Sequence, residues 1–334
     1  MEILLTLDAW QFTSSFDIPC WTFIIQSHPS QTVHLATTAS HLDPETLAQL
    51  QGLELRARYI VDGYLSGRHR GAHRGHSVEF TEHREYAAGD DLRYVDWKVF
   101  GKTDKVYLKQ FEAETNLVCH LLADVSESMC YQSDSAALSK LEYGQCLAAA
   151  LAYVVLRQRD SVSLATFDDE VRQVVRESSN PAHLRQLVAV LDQADACRKS
   201  QLGSVLHELS KRLLHRGIVV MISDLLGDVD SLLSGLKHLR HERHEVIVLH
   251  LLDPAEVDFP FQRTTLFQGL EALPEVLAEP RGVRRAYLAA LNEFLERVQA
   301  GCQSLQVDYH LVRTDEPFDA TLRRVLISRS ARQG

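Results

Sequence analysis

Asp124, Ser126 and Ser128 stand two residues apart at the end of an apolar run that begins at Leu117, and together they offer one carboxylate and two hydroxyls. Such a set suits a small hard cation. Mg²⁺ demands oxygen ligands in near-octahedral geometry and keeps waters beside one or two carboxylates, and Mn²⁺ accepts the same donors. In an open α/β sheet, ligands bind just beyond the carboxyl ends of the strands, where these side chains would fall. A second carboxylate, Asp224, closes another apolar run, Ile218-Val219-Val220-Met221-Ile222-Ser223. A fifth oxygen should come from a loop between the two strands, and Ser200, opening a helix in Lys199-Ser200-Gln201-Leu202-Gly203, is the candidate. Asp124 or Ser126 can equally be read as a helix cap, since Asp and Ser favour that position.

Other chemistries fit less well. An aspartyl-phosphate site generally carries a second Asp two residues on, where this chain has Ser126. A serine hydrolase needs G-x-S-x-G at a strand-to-helix turn, and Ser126 lies in D-V-S-E-S. His238, His241 and His244 recur at helical spacing but lack HExxH, and Arg240, Glu242 and Arg243 between them read as a solvated helix face. Gly101-Lys102-Thr103 resembles the end of a phosphate-binding loop, yet Asp96 stands where its first glycine belongs, and a strand rather than a helix follows. The Gly67–His76 stretch is rich in Gly, Arg and His but has no interleaved aromatics for base stacking, so it reads as a solvated loop.

The elements that must position the oxygen set follow from periodicity. Asp43 caps a helix with Pro44 at its first position, and Leu47, Leu50, Leu53, Leu55, Tyr59, Ile60, Val61 and Tyr64 continue an apolar face. Residues 77–115 form three strand-like pieces separated by Gly89-Asp90 and by Lys102-Thr103-Asp104. Strand 117–123 is followed by a helix at 141–156, strand 161–167 and an edge strand at 170–176. Helices at 181–191 and 202–214, strand 218–222, helix 230–240, strand 245–251, helix 284–299, strand 305–312 and helix 317–326 complete the chain. Strands alternating with helices imply a doubly wound, mostly parallel sheet with right-handed crossovers.

Composition sets the outer bounds. With 334 residues, about two domains are expected at ~150 residues each. A formal net charge of -10 argues against a nucleic-acid binder, and no stretch approaches the ~20 apolar residues of a membrane span. Glu2 and Asp8 stand where a signal peptide would carry Lys or Arg. The six cysteines include no CxxC pair and suit reduced thiols in the cytoplasm. Residues 1–40 show no sustained period and are expected to be an unstructured extension, or an upstream start that the working protein does not use. Residues 41–116 then form a helix plus a β-rich block, and 117–330 the α/β domain.

DVSES, a hydroxyl before a helix, and ISD resemble the metal-ion-dependent adhesion site of von Willebrand factor type A domains. The block EFTEHREYAAGDDLRYVDWKVFGKTDKVYLKQFEAETN resembles the signature of domain of unknown function family 58. The resemblance implies a von Willebrand factor type A-like domain, a Mg²⁺ held by Asp124, Ser126, Ser128, Ser200 and Asp224, and a MoxR-type AAA+ ATPase as partner. The family site usually has Thr where this chain has Ser200. Arg84, Arg93 and Lys98, in a dense mixed-charge set around Tyr94 and Trp97, are candidate docking residues. The expectation is a cytoplasmic interaction protein, not an enzyme, whose metal is completed by a partner's carboxylate. The alternative is a Mg²⁺-dependent hydrolase of a phosphorylated substrate, which needs a general base beside the metal. His120, in mid-strand, is expected to be buried in the sheet and unavailable for that work.

Overall fold

The computed structural model describes residues 23–24, 44–48, 51–68, 83–85, 106–109, 117–194, 202–262, 265–269, 276–278 and 280–330. The chain divides into two units, one of residues 67–116 and one of everything else. In chain order the elements begin with β1 (Phe23–Ile24), α1 (Pro44–Ala48), α2 (Leu53–Arg68), β2 (His83–Glu85) and β3 (Tyr107–Lys109). Next come β4 (Val118–Asp124), α3 (Lys140–Arg157), β5 (Ser161–Phe167), β6 (Val171–Ser178), α4 (His183–Asp192) and α5 (Leu202–Arg212). They continue with β7 (Ile218–Ser223), α6 (Val229–His241), β8 (Glu245–Leu252), α7 (Pro254–Asp258), β9 (Thr265–Gly269) and β10 (Val276–Ala278). The last are α8 (Pro280–Ser304), β11 (Asp308–Arg313) and α9 (Phe318–Ser330).

Six strands form one sheet in the order β11-β8-β7-β4-β5-β6. Every pairing is parallel except β5 with β6, which a short Asp-rich turn joins antiparallel. The central strands are apolar along their whole length because parallel strands are covered on both faces, and β4 and β7 are buried at every position. Alternation assigns the residues to two layers. Cys119, Leu121, Ala123, Val220, Ile222 and Leu249 pack with α1 through α4 and with α9. Leu122, Val219, Met221 and Val248 pack with α5, α6 and α8. The α/β, mostly parallel architecture expected from the pattern is therefore present.

Several boundaries differ from expectation. The apolar face after Pro44 is two helices, because Gly52 between them adopts φ +88°, a left-handed conformation that only glycine takes easily. Leu55 falls on the solvent side of α2. Leu47, Leu53, Ala57, Ile60 and Val61 join the large unit's core, so α1 and most of α2 belong with the α/β domain rather than with the β-rich block. Phe23 and Ile24 pair antiparallel with Gly269 and Gln268 of β9, so those two residues are not loose; the rest of 1–40 lies outside the described residues. Helix α7 and strands β9 and β10 were not foreseen. In the smaller unit β2 and β3 pair antiparallel, with Arg84 opposite Leu108.

Close approach of β4 to the chain entering β7 depends on one missing side chain. A Cβ on Gly217 would stand 2.1 Å from the Val118 carbonyl oxygen, a backbone atom that cannot rotate aside. Gly217→Ala is expected to destabilise the protein by about 1–3 kcal/mol, the usual cost of overpacking. The reading is a lower urea midpoint with an unchanged m-value.

Candidate metal centre

The end of β4 and the end of β7 lie side by side, since Ala123 is in register with Ile222. Asp124 is wholly buried there. Its Oδ1 accepts the Ser126 N–H at 2.9 Å, and its Oδ2 accepts the Ser223 hydroxyl at 2.5 Å. The Ser126 and Ser128 hydroxyls share a hydrogen bond at 3.1 Å, both buried. Ser126 leads into a 3-10 turn (Glu127–Cys130) without capping it through its side chain. The cap of α3 is Ser139 instead, in a reciprocal pair with Glu142. The helix-cap reading of Ser126 therefore fails, and its hydroxyl remains beside that of Ser128 and close to the Asp124 carboxylate.

Burial pushes the Asp124 carboxyl up to about 7, and the charge of Asp224 pushes the same way, against the hydrogen bonds from Ser223 and Ser126. Among the described residues no lysine or arginine forms an ion pair with Asp124. Asp224 is differently placed. Its Oδ2 accepts from the Lys140 ammonium at 2.9 Å, and its Oδ1 accepts the Leu226 N–H at 3.3 Å. The turn after it is held by Leu225 at φ 55°, a left-handed conformation that costs a non-glycine residue about 1–3 kcal/mol. The Leu225 N–H repays part of that cost by donating to Ser223 Oγ at 2.9 Å.

Lys140 reaches a second carboxylate as well, Glu256 Oε1, at 2.8 Å. Burial opposes its ammonium, but the charges of Asp224 and Glu256 outweigh burial and hold its pKa above the ordinary lysine range. Burial raises the Glu256 carboxyl in turn, with Lys140 opposing. Glu256 belongs to the capping box of α7, where Asp253 is the cap and Pro254 opens the helix. Asp253 Oδ2 also accepts the Ser133 N–H at 3.0 Å, tying the loop after β4 to the end of β8.

Of the predicted ligands, Asp124, Ser126, Ser128 and Asp224 meet at this edge. Ser200 lies outside the described residues, as do Arg93 and Lys98 of the predicted docking set. Among the described residues no three His, Cys, Asp or Glu side chains form a ready metal cage, so the donor set rests on hydroxyls. It still fits a hard divalent cation. Asp224 and Glu256 share the single Lys140 ammonium, and the buried Asp124 carboxylate beside Asp224 has no cationic partner among the described residues. Asp124, Ser126 and Ser128 would hold the ion, with Asp224 shared with Lys140.

Lys140, Glu256 and Ser223 were missed. A cation at the first position of a capped helix was a signal, because the helix dipole disfavours positive charge there. The sequence Asp253-Pro254-Ala255-Glu256 was another, being a capping box with proline at its first position.

The histidines divide. His120 is buried in mid-strand as expected, with Nδ1 2.7 Å from Ser163 Oγ and Nε2 2.8 Å from the His215 carbonyl oxygen. His238 and His241 lie on α6, but His244 does not share their solvated face. The helix ends at His241, and His244 is buried edge-on against the His120 ring, with centroids 5.5 Å apart.

The sheet order, the strand directions and the covering helices define a doubly wound, mostly parallel α/β protein. The chain belongs to the DUF58 family, described as proteins of unknown function, whose family model matches residues 82–294. It is 29% identical to the uncharacterized protein Rv1480 of Mycobacterium tuberculosis over 296 residues, 86% of this chain and 90% of that protein. The uncharacterized protein Mb1516 of Mycobacterium bovis matches to the same extent. Among solved structures, BatB of Bacteroides thetaiotaomicron overlaps 65% of this chain and 99% of its own at 14% identity and a TM-score of 0.40. The SpRpn10 VWA domain overlaps 63% and 95% at 11% identity and a TM-score of 0.40.

Because the Asp124 carboxyl sits higher in the folded state than the ordinary 3.8, the folded state binds more protons than the unfolded one between about pH 4 and pH 7. Metal-free protein should lose stability as pH rises through that window. Asp124→Asn removes the effect. In chelator at pH 8 the variant is expected to be more stable than wild type, because it buries no charge at that position. The difference should close as pH falls towards 4, and denaturant melts across pH check it.

Proposed function

We propose that this chain is a cytoplasmic interaction protein whose carboxyl-edge cluster binds Mg²⁺ or Mn²⁺ and uses it as a partner-dependent clasp. The observation that carries the reading is the buried Asp124 carboxylate beside two buried hydroxyls, raised by burial and by Asp224 and with no cationic side chain of its own among the described residues. A buried charge in that state is costly unless a cation pairs with it. Asp124, Ser126 and Ser128 supply the first donors, Asp224 contributes charge, and Ser200 is the expected fifth oxygen. Five protein oxygens leave a hard octahedral ion one position to fill, and a carboxylate from a partner protein would fill it.

The family resemblance points to a MoxR-type AAA+ ATPase as that partner, in assembly or chaperone-like work, with Arg84, Arg93 and Lys98 as docking charges. The chain has no phosphate-binding loop of its own, so nucleotide turnover belongs to the partner. No helix among the described residues is long and apolar enough to cross a membrane, and nucleic acid is not the expected ligand at a net charge of -10.

Calorimetric titration of chelator-stripped protein with MgCl₂ and MnCl₂ should give saturable binding that Asp124→Ala weakens by at least about tenfold, or ~1.4 kcal/mol. Pull-down of a MoxR-type ATPase should be lost in EDTA and in Asp124→Ala, while the purified chain hydrolyses neither nucleotide nor generic phosphoesters. Equal metal affinity in wild type and Asp124→Ala would overturn the site. Phosphoester turnover by the metal-loaded chain would favour the hydrolase reading instead.

A further inference from the structure

We infer that Lys140 is a tethered cation that competes with the divalent ion for Asp224, so that ion occupancy is read out as transfer of the lysine to Glu256. The inference rests on the cation reading above and adds a regulatory residue to it. Lys140 is wholly buried at the first position of α3, where the helix dipole opposes a positive charge. Nothing local to the helix explains it. Its ammonium is instead 2.9 Å from Asp224 Oδ2 and 2.8 Å from Glu256 Oε1, bridging the ends of β7 and β8.

An ammonium and a divalent ion on one carboxylate repel each other, and in a buried site that repulsion is only weakly screened. Drawing Asp224 towards an ion held by Asp124, Ser126 and Ser128 therefore weakens its pair with Lys140. Glu256 makes the exchange feasible, because the ammonium keeps one buried carboxylate when it gives up the other. Glu256 in turn accepts through Oε2 from the Asp253 N–H at 2.7 Å, inside the capping box of α7. The Tyr287 hydroxyl donates to the Glu256 carbonyl oxygen at 2.9 Å, which fixes that turn to α8. A change in the load on Glu256 thus reaches α7 and α8. Coupling of this kind is reciprocal, so whatever loosens the lysine from Asp224 tightens the ion.

The test is calorimetric titration of the full chain with MnCl₂ after chelator treatment. Lys140→Met should bind the ion about tenfold more tightly than wild type, and the gain should vanish when Asp224→Asn is added. Glu256→Gln keeps a capping side chain but removes the second anion, leaving Lys140 to Asp224 alone, and should weaken the ion about tenfold. A merely structural lysine would not move affinity in opposite directions. Should Lys140→Met fail to fold, Glu256→Gln carries the test alone. Affinities within about twofold of wild type, or weakening in both variants, overturn the competition while leaving the cation site intact. No saturable binding by wild type or by Lys140→Met overturns both readings, whereas binding by Lys140→Met alone supports the competition.

Discussion

Burying carboxylates at the carboxyl edge of a parallel sheet imposes an electrostatic demand that shapes the surrounding architecture. Removing an ion from water costs several kcal/mol even after relaxation, and only good geometry with a counter-charge repays it. Asp224 and Glu256 obtain theirs from Lys140 at hydrogen-bonding distance. Asp124 accepts hydrogen bonds from Ser126 and Ser223 but has no cation among the described residues, and burial, with the charge of Asp224 beside it, drives its carboxyl up to about 7. One edge thus holds two carboxylates that share one ammonium, next to a third with no cation of its own among the described residues.

Much of the nearby structure can be understood as holding that arrangement rigid. The Ser139–Glu142 capping box fixes where α3 starts and so where the Lys140 stem emerges. The Asp253–Glu256 box does the same for the opposing carboxylate. Leu225 accepts a left-handed backbone so that the chain can turn away directly after Asp224, and its amide is satisfied by the serine that also donates to Asp124. Strain at such a point persists only where its surroundings over-determine it, and here β7, β4 and a buried Leu225 side chain do so.

Buried ion networks are weak evidence for stability, since apolar side chains of similar volume often do as well. The Lys140 cluster is more readily explained by its place beside the candidate ion than by any contribution to the core. DUF58 membership and the six-stranded, mostly parallel sheet identify the scaffold; the chemistry is argued from the side chains on it.

Strand and helix placement was legible because parallel strands covered on both faces must be continuously apolar, and β4, β7 and β8 advertise themselves in that way. Asp124, Ser126, Ser128 and Asp224 were legible as strand-end residues for the same reason: the apolar runs stop at them. Tertiary structure alone decided what faces them. Lys140 is 84 positions from Asp224 and 116 from Glu256, and no local period relates them. Glycine at position 52 broke one apparent helical face in two, because a positive φ ends a helix whatever the apolar spacing suggests. His244 left a face that spacing had assigned to it, since the helix stopped before it and the next strand drew it into the core. Sequence periodicity carries local geometry and hydrophobic sorting. Counter-ion choice in a buried cluster depends on which chain segments the sheet brings together, and that is a property of the fold.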